Sequence, residues 1–173
     1  KTLGDEHPSV AEGLNNLGNT LHEGGRLDEA ERLHREALAI DEKALGDAHP
    51  TVAIDRNNLA SVLAEKGRPA EAEPLYRSAL AINRKVLGEH HPGVAINMTH
   101  IAEALLEQGK PEEAVSLLHG VLALLELRRE LVCGRPVGGR TDPDTVQGLA
   151  GLGQRRDVRR HAVGLEFVDE FAG

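Results

Sequence analysis

The chain has 173 residues, a formal net charge of −8 and an apolar fraction of 40%, with one tyrosine, two phenylalanines and no tryptophan. The acidic balance argues against a nucleic-acid partner, which needs clustered lysine and arginine, and no apolar run approaches the roughly 20 residues that span a membrane. The single cysteine excludes an internal disulfide and favours a cytoplasmic location, while the aliphatic composition favours helices over strands.

The chain opens with residues 1–8, a stretch whose pattern returns 42 residues later at 43–50. We interpret it as the end of a preceding repeat, in a fragment of a longer array; a native N-terminus after processing is the alternative. The dipeptide His-Pro occurs at positions 7, 49 and 91, so the period is constant at 42 residues. A constant period within roughly 20–50 residues predicts a solenoid of stacked units.

Each repeat predicts two amphipathic helices, A and B, separated by a glycine turn. Helix A of the first repeat begins at Pro8, because a proline at the first helical position loses no hydrogen bond. It carries one apolar stripe at helical spacing: Val10, Leu14, Leu17 and Leu21. The predicted A helices cover residues 8–23, 50–66 and 92–108, and the predicted B helices cover 27–45, 69–87 and the residues from 111 onward.

The pattern fails after the third repeat. The next His-Pro would fall on Cys133-Gly134, and Asp142-Pro143 comes nine residues late. We interpret the remainder as a loop followed by a degenerate, shortened repeat; the alternative is a poorly packed tail, because its glycines weaken helices. The predicted segments are the end of a preceding repeat (1–7), repeat 1 (8–48), repeat 2 (49–90), repeat 3 (91–131), a loop insertion (132–142) and a degenerate terminal repeat (143–173).

The small and apolar residues of the repeats resemble a known family. The series Leu14-x-x-Leu17-Gly18-x-x-Leu21, followed by Ala30 and Ala37, resembles the tetratricopeptide consensus. The motifs Asn-Asn-Leu-Ala and Leu-Gly-x-x-His-Pro resemble the 42-residue repeats of kinesin light chains, over about residues 1–125. The resemblance implies an all-α, right-handed superhelical solenoid of antiparallel helix pairs, about three full repeats plus a degenerate fourth. It also implies a concave groove, lined by the A helices, that holds a peptide or partner helix.

Helix geometry nominates the side chains that line this groove. If the leucine stripe of helix A packs inward, a ladder of asparagines faces the groove, and an amide that both donates and accepts can pair with any peptide backbone. The alternative is that the second asparagine of each pair, Asn16 or Asn58, bonds the neighbouring repeat and serves the fold. The predicted groove residues are Glu12, Asn15, Asn16, Asn19, Ile54, Asn57, Asn58, Ser61, Ile96, Thr99 and Glu103.

The groove positions depart from two relatives within the resembled family. They lack the lysine and arginine that chaperone-binding tetratricopeptide domains use to hold a carboxylate, and they lack the basic character suited to acidic kinesin cargo peptides. Ile54, Ile96 and Leu106 predict a partly apolar groove instead. The sequence therefore gives no reason to assign an acidic cargo motif.

Other residue patterns do not support catalysis. Helix-packing distances place His7, His49 and His91 about 10 Å apart, too far to share one metal ion, so we predict that they cap the following helix or pack in the loop. The basic cluster at 155–161 is interpreted as a solvated helix face, and no Walker-type phosphate loop is present. We predict a non-catalytic scaffold without metal or cofactor, whose partners are a protein or peptide ligand and neighbouring repeats of the full-length chain. The alternatives are a regulatory segment of a larger signalling ATPase or kinase with its catalytic domain elsewhere and, third, an enzyme within these residues.

Overall fold

The computed structural model describes the backbone of residues 7–133 and the side chains of residues 7–127. Within that range all regular structure is helical: α1 (Pro8–Glu23), α2 (Leu27–Leu45), α3 (Pro50–Glu65), α4 (Pro69–Leu87), α5 (Pro92–Glu107) and α6 (Pro111–Cys133). The odd-numbered helices match the predicted A helices to within one residue, and the even-numbered helices match the predicted B helices. The predicted preceding repeat up to residue 6, and everything from residue 134 onward, lie outside the described residues.

Each A helix begins with a histidine cap. The Nδ1 atoms of His7, His49 and His91 accept a hydrogen bond from the backbone N–H two residues further on, at 3.1, 3.2 and 3.1 Å. Each histidine thereby satisfies one of the N–H groups that a helix start leaves unpaired, and the proline that follows it has no N–H to satisfy. The predicted capping role is therefore confirmed.

The A helices end in a turn that reverses the chain. At Gly25, where φ is 73°, the N–H donates to the carbonyl of His22 at 2.9 Å, and the next N–H, of Arg26, donates to that of Leu21 at 2.8 Å. This is the Schellman pattern, which needs a left-handed residue and so favours glycine. The same turn follows α3 and α5. Because it is short, helices A and B of one repeat become neighbours.

Each helix packs against the next along the chain, so one core runs from α2 to α6. Burial of one leucine or isoleucine side chain contributes roughly 1.5–3 kcal/mol, which makes this aliphatic core the main stabilising term. Fully buried alanines, such as Ala60 and Ala72, let neighbouring helices approach closely. The larger buried side chains are Leu38, Val52, Leu59, Leu63, Tyr76, Leu80, Val94, Met98, Ile101, Leu105 and Val121.

Helix α1 is less covered than the other A helices. Leu17 is 52% exposed, whereas Leu59 and Ile101, at the equivalent positions, are 4% and 0% exposed. The preceding B helix covers this position in the later repeats: α2 packs on α3, and α4 packs on α5. Among the described residues, no helix precedes α1 to cover Leu17 in the same way. The inward packing predicted for Leu17 is therefore wrong within the described range, because burial at this position comes from the preceding helix.

Candidate peptide-binding face

The three A helices lie side by side and are joined by hydrogen bonds between side chains. Between α1 and α3, Asn15 Nδ2 donates to Asp55 Oδ1 at 2.5 Å. Further along the same two helices, His22 Nε2 lies 2.6 Å from Glu65 Oε2. An asparagine pair joins α3 to α5 at 2.6 Å. The exposed surface of α1, α3 and α5, called the A face below, is therefore continuous.

The predicted groove residues are distributed over this face in register. Thr99 is turned back on its own helix, where its hydroxyl donates to the carbonyl oxygen of Ala95 at 3.0 Å. Ile54 and Ile96 are the two most exposed large apolar side chains of the described residues, at 58% and 55%. The side chains are exposed at Glu12, Asn16, Asn19, Ile54 and Ile96 and half-buried at Asn15, Asn57, Asn58, Ser61, Thr99 and Glu103. Their use in peptide binding stays a prediction.

The first asparagine of each pair bonds the neighbouring repeat. Asn15 donates to Asp55, and its Oδ1 lies 2.9 Å from Nδ1 of His34, so both ends of the amide are used between helices. Asn57 accepts from Asn97 Nδ2 on the next A helix. The structural role considered for the second asparagine is therefore carried out by the first, and the inter-repeat bonds fix the spacing of the A helices.

A buried polar layer, called the first junction, joins α1, α2 and α3. It consists of Asn15, His34, Asp41 and Asp55, the last three of which are 0–1% exposed. Burial, reinforced by the Asp41 carboxylate, raises the pKa of Asp55 to about 7, although the hydrogen bond from Asn15 acts in the opposite direction. Asp41 Oδ1 and Asp55 Oδ2 are buried without a hydrogen-bond partner, and a protonated Asp55 can donate a hydrogen bond, whereas an ionised Asp55 can only accept.

His34 occupies the first junction as a neutral imidazole. Burial, with repulsion from His22, lowers the pKa of His34 to about 4. Its Nδ1 carries the proton, because Asn15 presents an oxygen there and uses its N–H for Asp55. A Cβ on Gly18 would lie 2.7 Å from Cε1 of the imidazole. Gly18, predicted to allow close helix packing, therefore provides the space for this ring.

The second junction is the equivalent layer between α3, α4 and α5, 42 residues further along the chain. Tyr76, Asn83 and Asn97 stand where the first junction has its histidine and two aspartates. Asn83 Nδ2 donates to Asn97 Oδ1 at 2.7 Å, and Asn97 in turn donates to Asn57. The amides close this layer with their own protons, so the bonds described in it do not depend on an ionisable group.

Sequence reasoning missed these buried polar residues, although a signal was present. Asp55 follows Val52 by three residues and precedes Leu59 by four, so it lies on the apolar stripe of α3. Asp41 follows Ala37 by four residues and has the same relation to the stripe of α2. A polar residue on an apolar stripe at equivalent positions of two repeats predicts a buried hydrogen-bonded layer.

The A face is acidic. Its only arginine, Arg56, is 13% exposed and turned towards the B helices, where it bonds Glu42 at 2.6 Å and Ser78 at 2.6 Å. Neither α3 nor α5 has a basic residue in its last turn, where the helix dipole is negative. Apart from the buried Asp55, the acidic residues of α1, α3 and α5 are Glu12, Glu23, Glu65, Glu103 and Glu107.

Positive charge is concentrated instead around Glu31 of α2. Burial alone would raise the pKa of Glu31, but hydrogen bonds from Lys66 and Arg68, with the charge of Arg35, lower it to about 2. The Arg68 bond is 2.8 Å long. These cations face α2 rather than the A face, because each is paired with a carboxylate of the B-helix side.

The chemistry of the A face suits a peptide ligand. It offers amides and hydroxyls for hydrogen bonds, two exposed isoleucines and several carboxylates. The described residues hold no group of three or more His, Cys, Asp or Glu side chains that could bind a metal ion. Of the helices between residues 7 and 133, none is long and apolar enough to cross a membrane.

Comparison with known families matches this architecture. Two family models, both described as tetratricopeptide repeat, match residues 10–51 and 50–126. Together with the antiparallel helix pairs in constant register, they define a repeat solenoid, and the chain belongs to the tetratricopeptide repeat family. No curated protein matches the chain.

Solved structures place the chain near the kinesin light chains, as the sequence motifs predicted. One such structure is of nearly identical TPR-like repeats of the kinesin light chain type from Podosopora anserina. Its sequence is 29% identical to this chain, with a TM-score of 0.63, and the match covers 73% of this chain and 60% of that one. BtubC (BKLC) from P. vanneervenii is 22% identical, with a TM-score of 0.67 over 87% of this chain and 56% of that one. The N-terminal domain of stress-induced protein-1 from C. elegans is 18% identical, with a TM-score of 0.57 over 86% and 97%. The last two show the fold alone, and the chain spans about three fifths of the first two structures.

Proposed function

We propose that this chain is a non-catalytic interaction scaffold that binds a peptide or partner helix in a groove formed by the A face. The observation that carries the proposal is the exposed, in-register set of side chains on α1, α3 and α5. Membership of the tetratricopeptide family and similarity to kinesin light chain-type repeats support it. The cysteine-poor composition supports a cytoplasmic location.

Residues at equivalent positions of α1, α3 and α5 form rows across the A face, and a bound peptide would contact these rows. One row consists of Glu12, Ile54 and Ile96, and helix packing spaces its members about 10 Å apart. A peptide that crosses the A helices would meet one side chain of each row per repeat. Asn15 and Asn57 would act indirectly, because their amides already hold the A helices at this spacing.

A peptide-library screen tests the proposal. Peptides that bind the wild-type chain are titrated against the Asn19→Ala, Ser61→Ala variant, which changes equivalent A-face positions of α1 and α3. We expect about tenfold weaker binding, because two hydrogen-bonding groups of the interface are lost. The matched control, Ser116→Ala on the exposed side of α6, should bind as the wild type does. Unchanged affinity of the A-face variant for every binder would contradict the proposal.

A further inference from the structure

The A face carries an exposed apolar pair that the fold does not explain. Ile54 and Ile96 keep more than half of their surface in solvent, although they lie within elements whose other faces are well packed. A bond between Asn57, one turn after Ile54, and Asn97, directly after Ile96, ties the two helices together at this level. Isoleucine is stiff at χ1 in a helix, so a partner would order these side chains at little entropic cost.

Acidic residues outnumber lysine and arginine in the three A helices. Glu12 occupies the equivalent position on α1 and is exposed, and Glu103 lies two turns along the same face as Ile96. The one arginine of the three A helices is buried against α2 and α4. The C-terminal ends of α3 and α5 add the negative end of their dipoles, and Glu65 at the end of α3 is paired with His22.

We infer that the partner of the A face is a cationic peptide segment that presents two aliphatic side chains to Ile54 and Ile96, with lysine or arginine beside them. This inference rests on the proposed function and specifies the ligand of the same face. Aliphatic side chains about 10 Å apart would contact both isoleucines, because neighbouring packed helices are separated by that distance. Basic flanks complement the carboxylates and speed association, whereas acidic flanks are repelled.

The experiment uses the full chain and four fluorescent peptides of equal length. The peptides combine leucine or serine at the two anchor positions with lysine or glutamate at the flanks, and binding is followed by fluorescence anisotropy. We expect the leucine–lysine peptide to bind tightest and to weaken as salt is added. The Ile54→Ser, Ile96→Ser variant should weaken it about tenfold, through lost apolar burial. Tighter binding of the leucine–glutamate peptide, or no binding of any peptide, would overturn the inference.

Two controls separate the possible failures. Val86→Ser with Leu87→Ser removes comparably exposed apolar side chains, 48% and 43% exposed, at the end of α4 and should leave binding unchanged. Helicity measured by circular dichroism should be equal in both double variants. If a leucine–glutamate peptide binds best and the isoleucine variant weakens it, the charge inference fails while the proposed binding face stands. If the two double variants weaken binding equally, both fail.

Discussion

The two junctions place polar side chains at equivalent positions of successive repeats, but those side chains are carboxyl groups in the first junction and amides in the second. In the second junction, Asn83 donates to Asn97 with an N–H that the amide always carries. In the first, the carboxyl groups of Asp41 and Asp55 are buried together, and burial raises the pKa of Asp55. One packing geometry therefore accommodates a layer whose amide hydrogen bonds need no ionisable group and a layer built on two carboxyl groups.

The difference follows from the cost of burying charge. A neutral amide with both ends paired loses little when water is removed, whereas an ionised carboxylate loses its hydration and must be compensated. Asp55 receives one described N–H donor, from Asn15, which does not outweigh burial beside a second carboxyl group. We therefore expect the second junction to stabilise the stack more than the first, most clearly above the pKa of Asp55.

The largest expected effect comes from breaking the second junction with Asn97→Leu. The substitution keeps the branched shape and the number of heavy atoms but leaves the N–H groups of Asn83 and the oxygen of Asn57 without their partner. We expect a loss of about 3 kcal/mol in the free energy of unfolding, measured by urea denaturation. Asn19→Leu, on an exposed position of α1, is the control and should change it little.

The equivalent change in the first junction sharpens the comparison. Asp55→Leu also leaves a neighbour without its partner, but it removes a buried carboxyl group at the same time. Above the pKa of Asp55 its cost should therefore be smaller than that of Asn97→Leu. Equal losses from the two substitutions would show that the buried acid carries no penalty.

A smaller loss is expected from Gly18→Ala. The added methyl group would lie 2.7 Å from the ring of His34, and the imidazole is fully buried, so the helices must shift apart. We expect about 2 kcal/mol of destabilisation by thermal or urea unfolding. The second junction already has Ala60 at this place, so the clash is specific to the first. In a His34→Ala background the effect of Gly18→Ala should largely disappear, and an undiminished cost there would refute the steric explanation.

The sequence predicted the helices better than the junctions, for a physical reason. Proline, glycine and the histidine caps act on their own stretch of backbone, so the 42-residue period located the bounds of α1 to α5 and the start of α6 to within one residue. The end of α6 at Cys133 lies two residues inside the predicted loop insertion. Whether Asn15 or Asn16 bonds the next repeat depends on the rotation of α1 relative to α3, which no local rule fixes. The burial of Leu17 depends on a neighbouring helix and could not be read from its own stripe. Pairing between distant positions, such as Asp41 with Asp55, needs the packed structure.

Replacing both acids of the first junction by amides should convert it to the chemistry of the second. Burial raises the pKa of Asp55 from 3.8 to about 7, so the folded state binds a proton more tightly than the unfolded state. Its contribution to stability is then fully present below about pH 4 and is lost as the pH rises through about 7. Asp41→Asn with Asp55→Asn should therefore stabilise the chain by roughly 2 kcal/mol above the pKa of Asp55. Urea denaturation at several pH values measures this gain.

The pH series must separate this effect from other groups that face the layer. His34 has a pKa lowered to about 4, so its contribution falls as the pH drops below 6.5 and opposes that of Asp55. Glu42 and Asp41 face Asp55 from α2. Because the double variant keeps His34 and Glu42, the difference between variant and wild type isolates the acid pair. A difference that does not grow with pH between 4 and 7 would contradict the raised pKa of Asp55.

The smallest expected effect concerns the carboxylates at equivalent positions of α2 and α4, Glu31 and Glu73. Both have a lowered pKa, but Glu31 bonds both Lys66 and Arg68, whereas Glu73 accepts from the neutral Gln108 and has Lys110 at 3.7 Å. Glu31→Gln should therefore destabilise the chain more than Glu73→Gln, by about 1 kcal/mol near neutral pH, since its surrounding cations are partly screened by solvent.

The acid limb of the stability profile tests this ion-pair network separately from the junctions. Since the pKa of Glu31 is lowered from 4.5 to about 2, the stability it contributes is present above 4.5 and is lost as the pH falls towards 2. This slope is opposite in sign to that of Asp55, so Glu31→Gln should flatten the loss of stability in acid while leaving the change between pH 4 and 7 in place. The asparagine variant of the first junction should do the reverse, because the two carboxylates differ in what surrounds them: cations at the edge of the solvent around Glu31, and a second acid in a dry layer around Asp55.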